Sequence, residues 1–173
     1  LAACEEPTKR PDTPPAATQQ TWLCGREYQN QAWGYQRRGV VLDTSGNVWR
    51  YEVKGPPQGP ADPWNPPDVS RLTEADLKMR YETAMTTGDK VPAEEIARHM
   101  ALIEEASNAT PPQPTQGGAD MGQTLLYCYT YDAASRTYGQ VMLDNRGDWN
   151  STNPSPAAKT LSAWLITKLG ADN

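Results

Sequence analysis

The chain has 173 residues, a formal net charge of −5 and a mean hydropathy of −0.76. This length suits one domain with an extension, and such a domain buries an adequate core without metal ions. The negative charge argues against general nucleic-acid binding, and no stretch is long and apolar enough to cross a bilayer as a helix. Prolines and glycines concentrate in residues 7–15, 55–67 and 111–118, which predicts folded blocks joined by extended connectors.

The first four residues are Leu1, Ala2, Ala3 and Cys4. They resemble the lipobox of bacterial lipoproteins, in which signal-peptide cleavage leaves the cysteine as the lipid-modified first residue. The resemblance implies a lipidated Cys4, with palmitate among its acyl chains, and a protein held at a cell-envelope membrane by this lipid. Lipoproteins retained in the inner membrane tend to carry Asp after the cysteine. Because Glu5 stands there instead, the resemblance favours the outer membrane in an organism with two membranes.

Residues 5–20, EEPTKRPDTPPAATQQ, carry four prolines, mixed charges and no aliphatic side chain larger than alanine. Such a segment does not bury enough apolar surface to fold, and its prolines bias it towards extended conformations. At about 3.1 Å per residue it spans up to roughly 50 Å. We therefore predict a disordered tether at 5–20, after the lipobox residues 1–4, and a single folded domain at 21–173.

Three cysteines leave one without a partner if the protein is secreted. Lipidation of Cys4 removes this difficulty, because it leaves Cys24 and Cys128 to form a disulfide in an oxidising compartment. The alternative is an intracellular protein with three buried thiols, in which the N-terminal motif arises by chance.

Two segments of the chain look like variants of one unit. Residues 21–53 and 124–149 each begin with threonine, apolar residues and a cysteine, and each continues into an apolar strand that ends in Leu-Asp-x-x-Gly. Asp at the start of a turn accepts backbone hydrogen bonds and Gly at its end supplies a positive φ, so both segments predict β-hairpins. We expect two short β-meanders that form one antiparallel sheet of five or six strands. The pattern leaves open whether they arose by duplication.

The segment between these halves, about 70–107, has helical features. A threonine N-cap followed by an acidic residue predicts a helix from about Leu72 to Met85, and Pro92 stands at a favoured first position of a second helix. A third helix is predicted over 155–169. The expected fold class is α+β: an antiparallel sheet of two related β-meanders, with a helical insert and a C-terminal helix packed on one face.

No motif in the sequence names a reaction. The chain has no nucleophile elbow, Walker loop, dinucleotide fingerprint or Cys–His arrangement. The single histidine, His99, has Glu95 one turn earlier and no second ligand at metal-binding spacing, so a salt-bridged residue on the side of a helix is the simpler interpretation. We therefore name no catalytic residue, metal ligand or cofactor, and favour a non-enzymatic protein. Carboxylates that converge only in the folded chain leave a hydrolase open.

Aromatic and basic side chains are interleaved with amides in the stretch YQNQAWGYQRR. Its candidate binding residues are Trp33, Tyr35, Arg37 and Arg38, which suit stacking on sugars or contacts with a protein. Trp64, between prolines in a loop, is a further candidate. The alternative is that Trp33 and Tyr35 are core residues of a domain without phenylalanine and that the arginines are solvated. Trp64 then holds its loop against the sheet.

Residues 21–54 carry five basic and three acidic side chains, whereas residues 55–110 carry five basic and ten acidic ones. We expect an asymmetry of this kind to steer a charged partner. The string WGYQ…G…LDxxGxVxxY is also similar to uncharacterised envelope lipoproteins, a resemblance that implies a location and no activity. The leading hypothesis is a lipid-anchored envelope protein with a non-catalytic binding or accessory domain for an envelope protein or glycan, and without a nucleic-acid partner. The alternatives are an envelope hydrolase acting on glycan or peptide, and an inhibitor of a secreted hydrolase.

Overall fold

The structure, a computed structural model, describes residues 19–55, 62, 64 and 66–170. Within these residues the chain forms nine strands and three helices, and the α+β class predicted from the sequence is confirmed. The elements run in the order β1 (Trp22–Asn30), β2 (Gln36–Asp43), β3 (Asn47–Lys54), β4 (Leu72–Thr73), α1 (Glu74–Arg80), β5 (Met85–Lys90), α2 (Ala93–Ser107), β6 (Thr115–Gln116), β7 (Gln123–Asp132), β8 (Thr137–Gly147), β9 (Trp149–Thr152) and α3 (Pro156–Leu169).

The predicted lipidation site and most of the predicted tether, residues 1–18, lie outside the described residues. Gln20, at the end of the predicted tether, is buried. Its side-chain amide donates to the backbone carbonyl of Trp22 at 2.9 Å and to that of Tyr129 at 3.4 Å. The folded part of the chain therefore includes Gln20.

The sheet is built around the pairing of β1 with β7. Its strand order is β5-β3-β2-β1-β7-β8-β9-β6, with β4 beside the start of β8, and the paired strands are antiparallel. The two predicted meanders, β1-β2-β3 and β7-β8-β9, thus extend outwards in matching order from the centre. The strands beyond the six of the meanders are β4, β5 and β6, which come from the segments between the halves.

The disulfide between Cys24 and Cys128 is confirmed. The two residues lie directly opposite each other in the register of β1 and β7, and both are fully buried. The bridge therefore joins residues 104 positions apart at the centre of the sheet. It fastens one meander to the other at the strand pair that they share.

The first Leu-Asp-x-x-Gly turn forms as predicted. The Asp43 carboxylate accepts hydrogen bonds from the backbone N–H groups of Ser45 and Asn47 and from the indole N–H of Trp49. Gly46 has a φ of +86°, and a Cβ there would collide with a backbone carbonyl. The second copy differs, because β8 continues to its glycine and one residue separates it from β9.

Helices α2 and α3 pack against each other and cover one face of the sheet. The start of α3 is capped by the Ser155 side chain, which accepts from the Ala158 N–H, and Pro156 occupies its first turn. The sheet and both helices contribute to the apolar core beneath the helices. Its residues include Leu23, Val40, Leu42, Leu126, Leu143, Ile96, Ile103, Leu161 and Leu165. No helix among the described residues is long and apolar enough to cross a membrane.

The first helix of the insert is shorter than predicted and lies on the opposite face of the sheet. A capping box between Thr73 and Asp76 starts α1, as expected, but the helix ends at Arg80 rather than near Met85. Met85–Lys90 instead forms β5, which adds to the outer edge of β3. Two consecutive threonines in this segment favour a strand, and the free edge of β3 supplies the hydrogen-bonding groups.

A second buried cluster fills the face of the sheet that α1 covers. It is rich in tyrosine: besides Val41, Leu72 and Leu77 it contains Tyr51, Tyr81, Tyr127, Tyr129 and Tyr138. Val40 and Val41 belong to different clusters because successive residues of a strand face opposite sides of a sheet. One core is therefore aliphatic, whereas the other contains many hydroxyl groups that need hydrogen-bond partners.

Candidate functional site

Three charged side chains meet inside the tyrosine-rich core. Glu27 on β1 lies between Arg37 on β2 and Arg80 at the end of α1, with N–O distances of 3.4 Å to Arg37 and 3.1 Å to Arg80. Both arginines are only 1% exposed. Arg37 also donates to the backbone carbonyl of Arg80 at 2.9 Å. The end of α1 is thereby tied to two central strands of the sheet.

A second carboxylate, that of Asp62, completes the charge balance of this cluster. It accepts hydrogen bonds from Arg37 at 2.7 Å, from the Tyr35 hydroxyl at 2.8 Å and from the backbone N–H of Trp64 at 2.8 Å. Burial alone would raise the pKa of Asp62, but these hydrogen bonds outweigh it and hold the pKa below its usual value. The two carboxylates thus balance the charge of the two guanidinium groups.

The tyrosine hydroxyls extend this network across the sheet. Tyr51 donates to Glu27 at 2.6 Å, and the Tyr81 hydroxyl lies 2.7 Å from the hydroxyls of both Tyr127 and Tyr129. Arg80 donates to the Tyr129 hydroxyl at 2.7 Å. Because each of these buried hydroxyls has a polar partner, the cost of placing it away from water is largely offset.

The guanidinium of Arg80 is also enclosed by aromatic rings. It lies 4.9 Å from the ring centre of Trp64 and 4.3 Å from that of Tyr127. Such cation–π contacts strengthen when the cation is shielded from water. We call the set Glu27, Arg37, Asp62 and Arg80, with its surrounding tyrosines and Trp64, the buried ionic cluster.

The structure separates the five residues predicted as one binding surface. Tyr35, Arg37 and Trp64 belong to the buried ionic cluster. Arg38 faces the other side of the sheet, where its guanidinium lies 4.7 Å from the centre of the Tyr28 ring. Trp33 is the remaining member, and it stays 84% exposed in the β1–β2 connection.

Trp33 shares its end of the sheet with two other exposed apolar side chains. The strand register aligns Gln29, Gln123 and Gly147 in one row, so the β1–β2 connection, the residues before β7 and the start of β9 lie together. The apolar side chains there are Trp33, Met121 at 60% exposure and Trp149 at 52%. We call this region the Trp33 end.

Hydrogen bonds hold the Trp33 end in place. The Asn30 side chain accepts from the Ala32 N–H at 2.8 Å and donates to the Tyr28 hydroxyl, which donates to the carbonyl of Met121 at 3.0 Å. An open groove of about 570 Å³ lies there. Its described lining contains amides, carboxylates and one tryptophan, and no basic residue: Gln29, Asn30, Gln31, Ala32, Asp120, Gly122, Gln123, Asp148 and Trp149.

His99 has a packing role. Its ring stacks on Trp164 with a centroid distance of 4.0 Å, and its Nδ1 lies 2.8 Å from the backbone carbonyl of Glu95. The Glu95 carboxylate pairs with Lys168 at 2.9 Å instead of with His99. His99 therefore helps to join α2 to α3. Among the described residues, no three acidic, histidine or cysteine side chains converge in a way that would hold a metal ion.

Sequence reasoning did not identify Glu27, Asp62 or Arg80 as a cluster, nor Met121 and Trp149 as neighbours of Trp33. One signal was available for Glu27, because a carboxylate on an otherwise buried strand requires a cationic partner. The comparisons add no family to this picture: no protein-family model, curated protein or solved structure matches the chain.

Replacing Glu27 by glutamine should destabilise the domain severely. Glu27→Gln removes the charge that pairs with both arginines, and breaking a buried ion pair from one side costs about 3–5 kcal/mol. The matched control is Glu52→Gln, whose carboxylate forms an exposed pair with Lys54 at 3.2 Å and should cost less than about 1 kcal/mol. Denaturant unfolding measures both, and equal losses would contradict the structural role of Glu27.

The buried tyrosines should make the protein unstable in alkali. Burial, followed by the bond to Asp62, raises the pKa of Tyr35 to about 12, and burial raises the pKa of Tyr51, Tyr81, Tyr127, Tyr129 and Tyr138 as well. The ordinary phenol pKa is 10.0. Below pH 10 these phenols are neutral in both the folded and the unfolded chain, and their packing contributes fully to the free energy of unfolding. This contribution is lost as the pH rises further, because the unfolded chain then ionises more readily.

We expect tyrosinate absorbance and loss of circular dichroism to rise together in an alkaline titration. Ionisation of all these tyrosines near pH 10 with the circular dichroism unchanged would contradict the packing described for the second core.

Proposed function

We propose that this protein is a lipid-anchored component of a bacterial cell envelope, and that its α+β domain binds another envelope component, without catalysis, through the Trp33 end. The observation that carries the proposal is the 84% exposure of Trp33 at the same end of the sheet as the exposed Met121 and Trp149. Exposed apolar side chains that cluster are typical of interaction sites, and tryptophan is the residue most enriched among their energetic centres.

The envelope location is supported by three features of the chain. Cys4 stands in the lipobox-like motif, and a proline-rich segment follows it. The Cys24–Cys128 disulfide fits an oxidising compartment. Together they favour a domain held at a distance from a membrane, with its Trp33 end available to a partner.

The buried ionic cluster favours binding over hydrolysis. A glycosidase or an acid–base hydrolase needs a carboxyl group with a raised pKa that touches the substrate. Glu27 and Asp62 both lie buried against Arg37, and the pKa of Asp62 is lowered rather than raised. The cluster therefore acts in folding, and Tyr35 and Arg37 are not part of the proposed binding surface.

The chemistry of the Trp33 end favours a glycan as its partner. Indole rings stack on the apolar faces of sugars, and the side chains of Gln29 and Gln31 line the adjoining groove with amides suited to hydroxyl groups. Asp120 and Asp148 add hydrogen-bond acceptors. A protein partner remains an outcome of the binding experiment.

The binding experiment is a pull-down from detergent-solubilised envelope with the immobilised, oxidised chain of 173 residues, scored for both polysaccharide and protein. The Trp33→Ala/Trp149→Ala variant should lose the retained partner, because tryptophans at the centre of an interface contribute about 2 kcal/mol or more each, roughly 30-fold in affinity. Met85→Ala is the matched control, since Met85 is 74% exposed on the outermost strand β5.

Circular dichroism and an intact disulfide establish that each variant is folded. A saturable partner that the double tryptophan variant retains as well as the unchanged protein would overturn the assignment to the Trp33 end.

The anchor has a separate test in the mass of the N-terminal peptide extracted from membranes. We expect Cys4 to carry a diacylglyceryl group and the Cys4→Ser variant to leave the membrane fraction. A free thiol on Cys4 in the membrane-extracted protein would contradict the lipoprotein proposal and would leave the binding proposal to be judged by the pull-down.

A further inference from the structure

A mostly apolar groove of about 610 Å³ lies beside α1, on the tyrosine-rich face of the sheet. The rings of Trp22 and Tyr81 and the side chain of Met79 supply most of its apolar surface, and Met79 is 42% exposed. We call it the Trp22 groove. Its described lining is Trp22, Glu74, Ala75, Lys78, Met79, Tyr81 and Glu82.

The aromatic side of the Trp22 groove is held in place by ring contacts. The Trp22 ring lies 4.5 Å from the centre of the Tyr81 ring and meets the Trp49 ring edge-on at 6.3 Å. Trp49 is itself fixed, because its indole N–H donates to Asp43 at 2.9 Å. The indole N–H of Trp22 has no such acceptor within the described part of the chain. The groove therefore offers a rigid aromatic surface and a hydrogen-bond donor.

The N-terminal segment leaves the folded domain at the edge of this groove. The backbone N–H of Thr21 donates to the Tyr138 hydroxyl at 2.8 Å, and the same hydroxyl donates at 2.7 Å to Glu74, which lines the groove. The described residues begin at Gln19, three positions before Trp22. Residues 11–15 lie four to eight positions before Gln19, a reach of about 12–25 Å for an extended chain at about 3.1 Å per residue.

The sequence of this segment suits an aromatic groove. Residues 11–15 read PDTPP, in which Pro11 and Pro14 are three positions apart. A polyproline II helix has three residues per turn, so both prolines lie on one side of it, and its backbone carbonyls have no internal partner. Such segments dock on aromatic-lined grooves, because they lose little conformational entropy on binding. The free indole N–H of Trp22 is a suitable donor to one of these carbonyls.

We propose that the Trp22 groove binds the chain's own proline-rich segment, residues 9–15, in the polyproline II conformation. Lys9 and Arg10 at the start of this segment complement the carboxylates of Glu74 and Glu82 in the groove lining. The occupant is the segment of the same chain rather than that of a second copy, because a short connection gives it a high effective concentration at the groove.

Docking of this segment controls how far the domain stands from its attachment point. A segment held in the groove is withdrawn from the extended length between Cys4 and Gln19, and release restores that length. The binding itself depends neither on the Trp33 end nor on lipidation. Only its consequence for reach rests on the proposed anchor, and the experiment below uses protein without lipid, so that the two proposals fail separately.

The test places a nitroxide on the segment and observes the domain by NMR. The probe is the chain of 173 residues carrying Cys4→Ser and Thr8→Cys, in which the thiol at position 8 reacts because Cys24 and Cys128 form a disulfide. We expect the backbone amide signals of α1 from Ala75 to Arg80, and that of Glu82, to lose most of their intensity. The same labelled chain with Pro11→Ser and Pro14→Ser shows the smaller loss that proximity to Gln19 produces without docking.

The matched groove variants are Met79→Glu and Ile166→Glu. Both replace an exposed apolar side chain of a helix, at 42% and 44% exposure, but Ile166 lies on α3, which covers the other face of the sheet. Met79→Glu should reduce the signal loss to that of the proline variant, whereas Ile166→Glu should leave it unchanged, with circular dichroism confirming that both are folded. Equal effects of the two glutamates would overturn the assignment to this groove.

The proline variant decides the proposal even if Met79→Glu does not fold, since Pro11 and Pro14 lie outside the described domain. Signal loss that is the same with and without these prolines would overturn it. A mixture of isotope-labelled chain without nitroxide and nitroxide-labelled chain without isotope tests the alternative occupant. We expect no signal loss in this mixture, and a loss equal to that within one chain would assign the groove to a second copy and overturn docking within the chain.

Discussion

The ion pairs of Glu27 with Arg37 and Arg80 are the interaction on which the arrangement of this domain depends. They connect two central strands to the end of α1, and Arg37 carries the connection onward to Asp62. Burying charged groups is costly, and only their mutual pairing and the surrounding hydroxyl donors compensate for it. The cluster therefore acts as a set in which each member needs the others. It holds α1, the first helix of the insert, on the tyrosine-rich face of the sheet.

The two halves of the sheet are joined at its centre. Their strands extend symmetrically from the β1–β7 pair, and the Cys24–Cys128 bridge sits on that pair. One face is sealed by α2 and α3, and the other by α1 and the buried ionic cluster. The proposed binding surface is left at one margin of the sheet, at the exposed Trp33 end.

Local patterns in the sequence were sufficient to predict most strands, helices and turns. They were insufficient to predict the buried ionic cluster and the Trp33 end. Alternation and turn residues predicted the meanders and the Asp43 turn, and the cysteine count, with the lipobox resemblance, predicted the disulfide. The neighbouring Arg37 and Arg38 show the limit: strand geometry places them on opposite faces, but only the partners Glu27 and Asp62, distant in the chain, decide which one is buried. Likewise, the proximity of Trp149 to the β1–β2 connection depends on strand register across the whole sheet. Propensity favoured a helix up to Met85, and the open edge of β3 overrode it.

We infer that the buried ionic cluster holds the fold while the partner is bound at the Trp33 end. Hydrogen exchange of the native protein, measured with and without its captured envelope partner, distinguishes these two roles. We expect the partner to slow exchange at the backbone amides of residues 29–34, 120–123 and 148–150, and to leave those of α1 unchanged. Protection concentrated instead in α1 and around Asp62 and Trp64 would contradict it, because the cluster would then be the binding site.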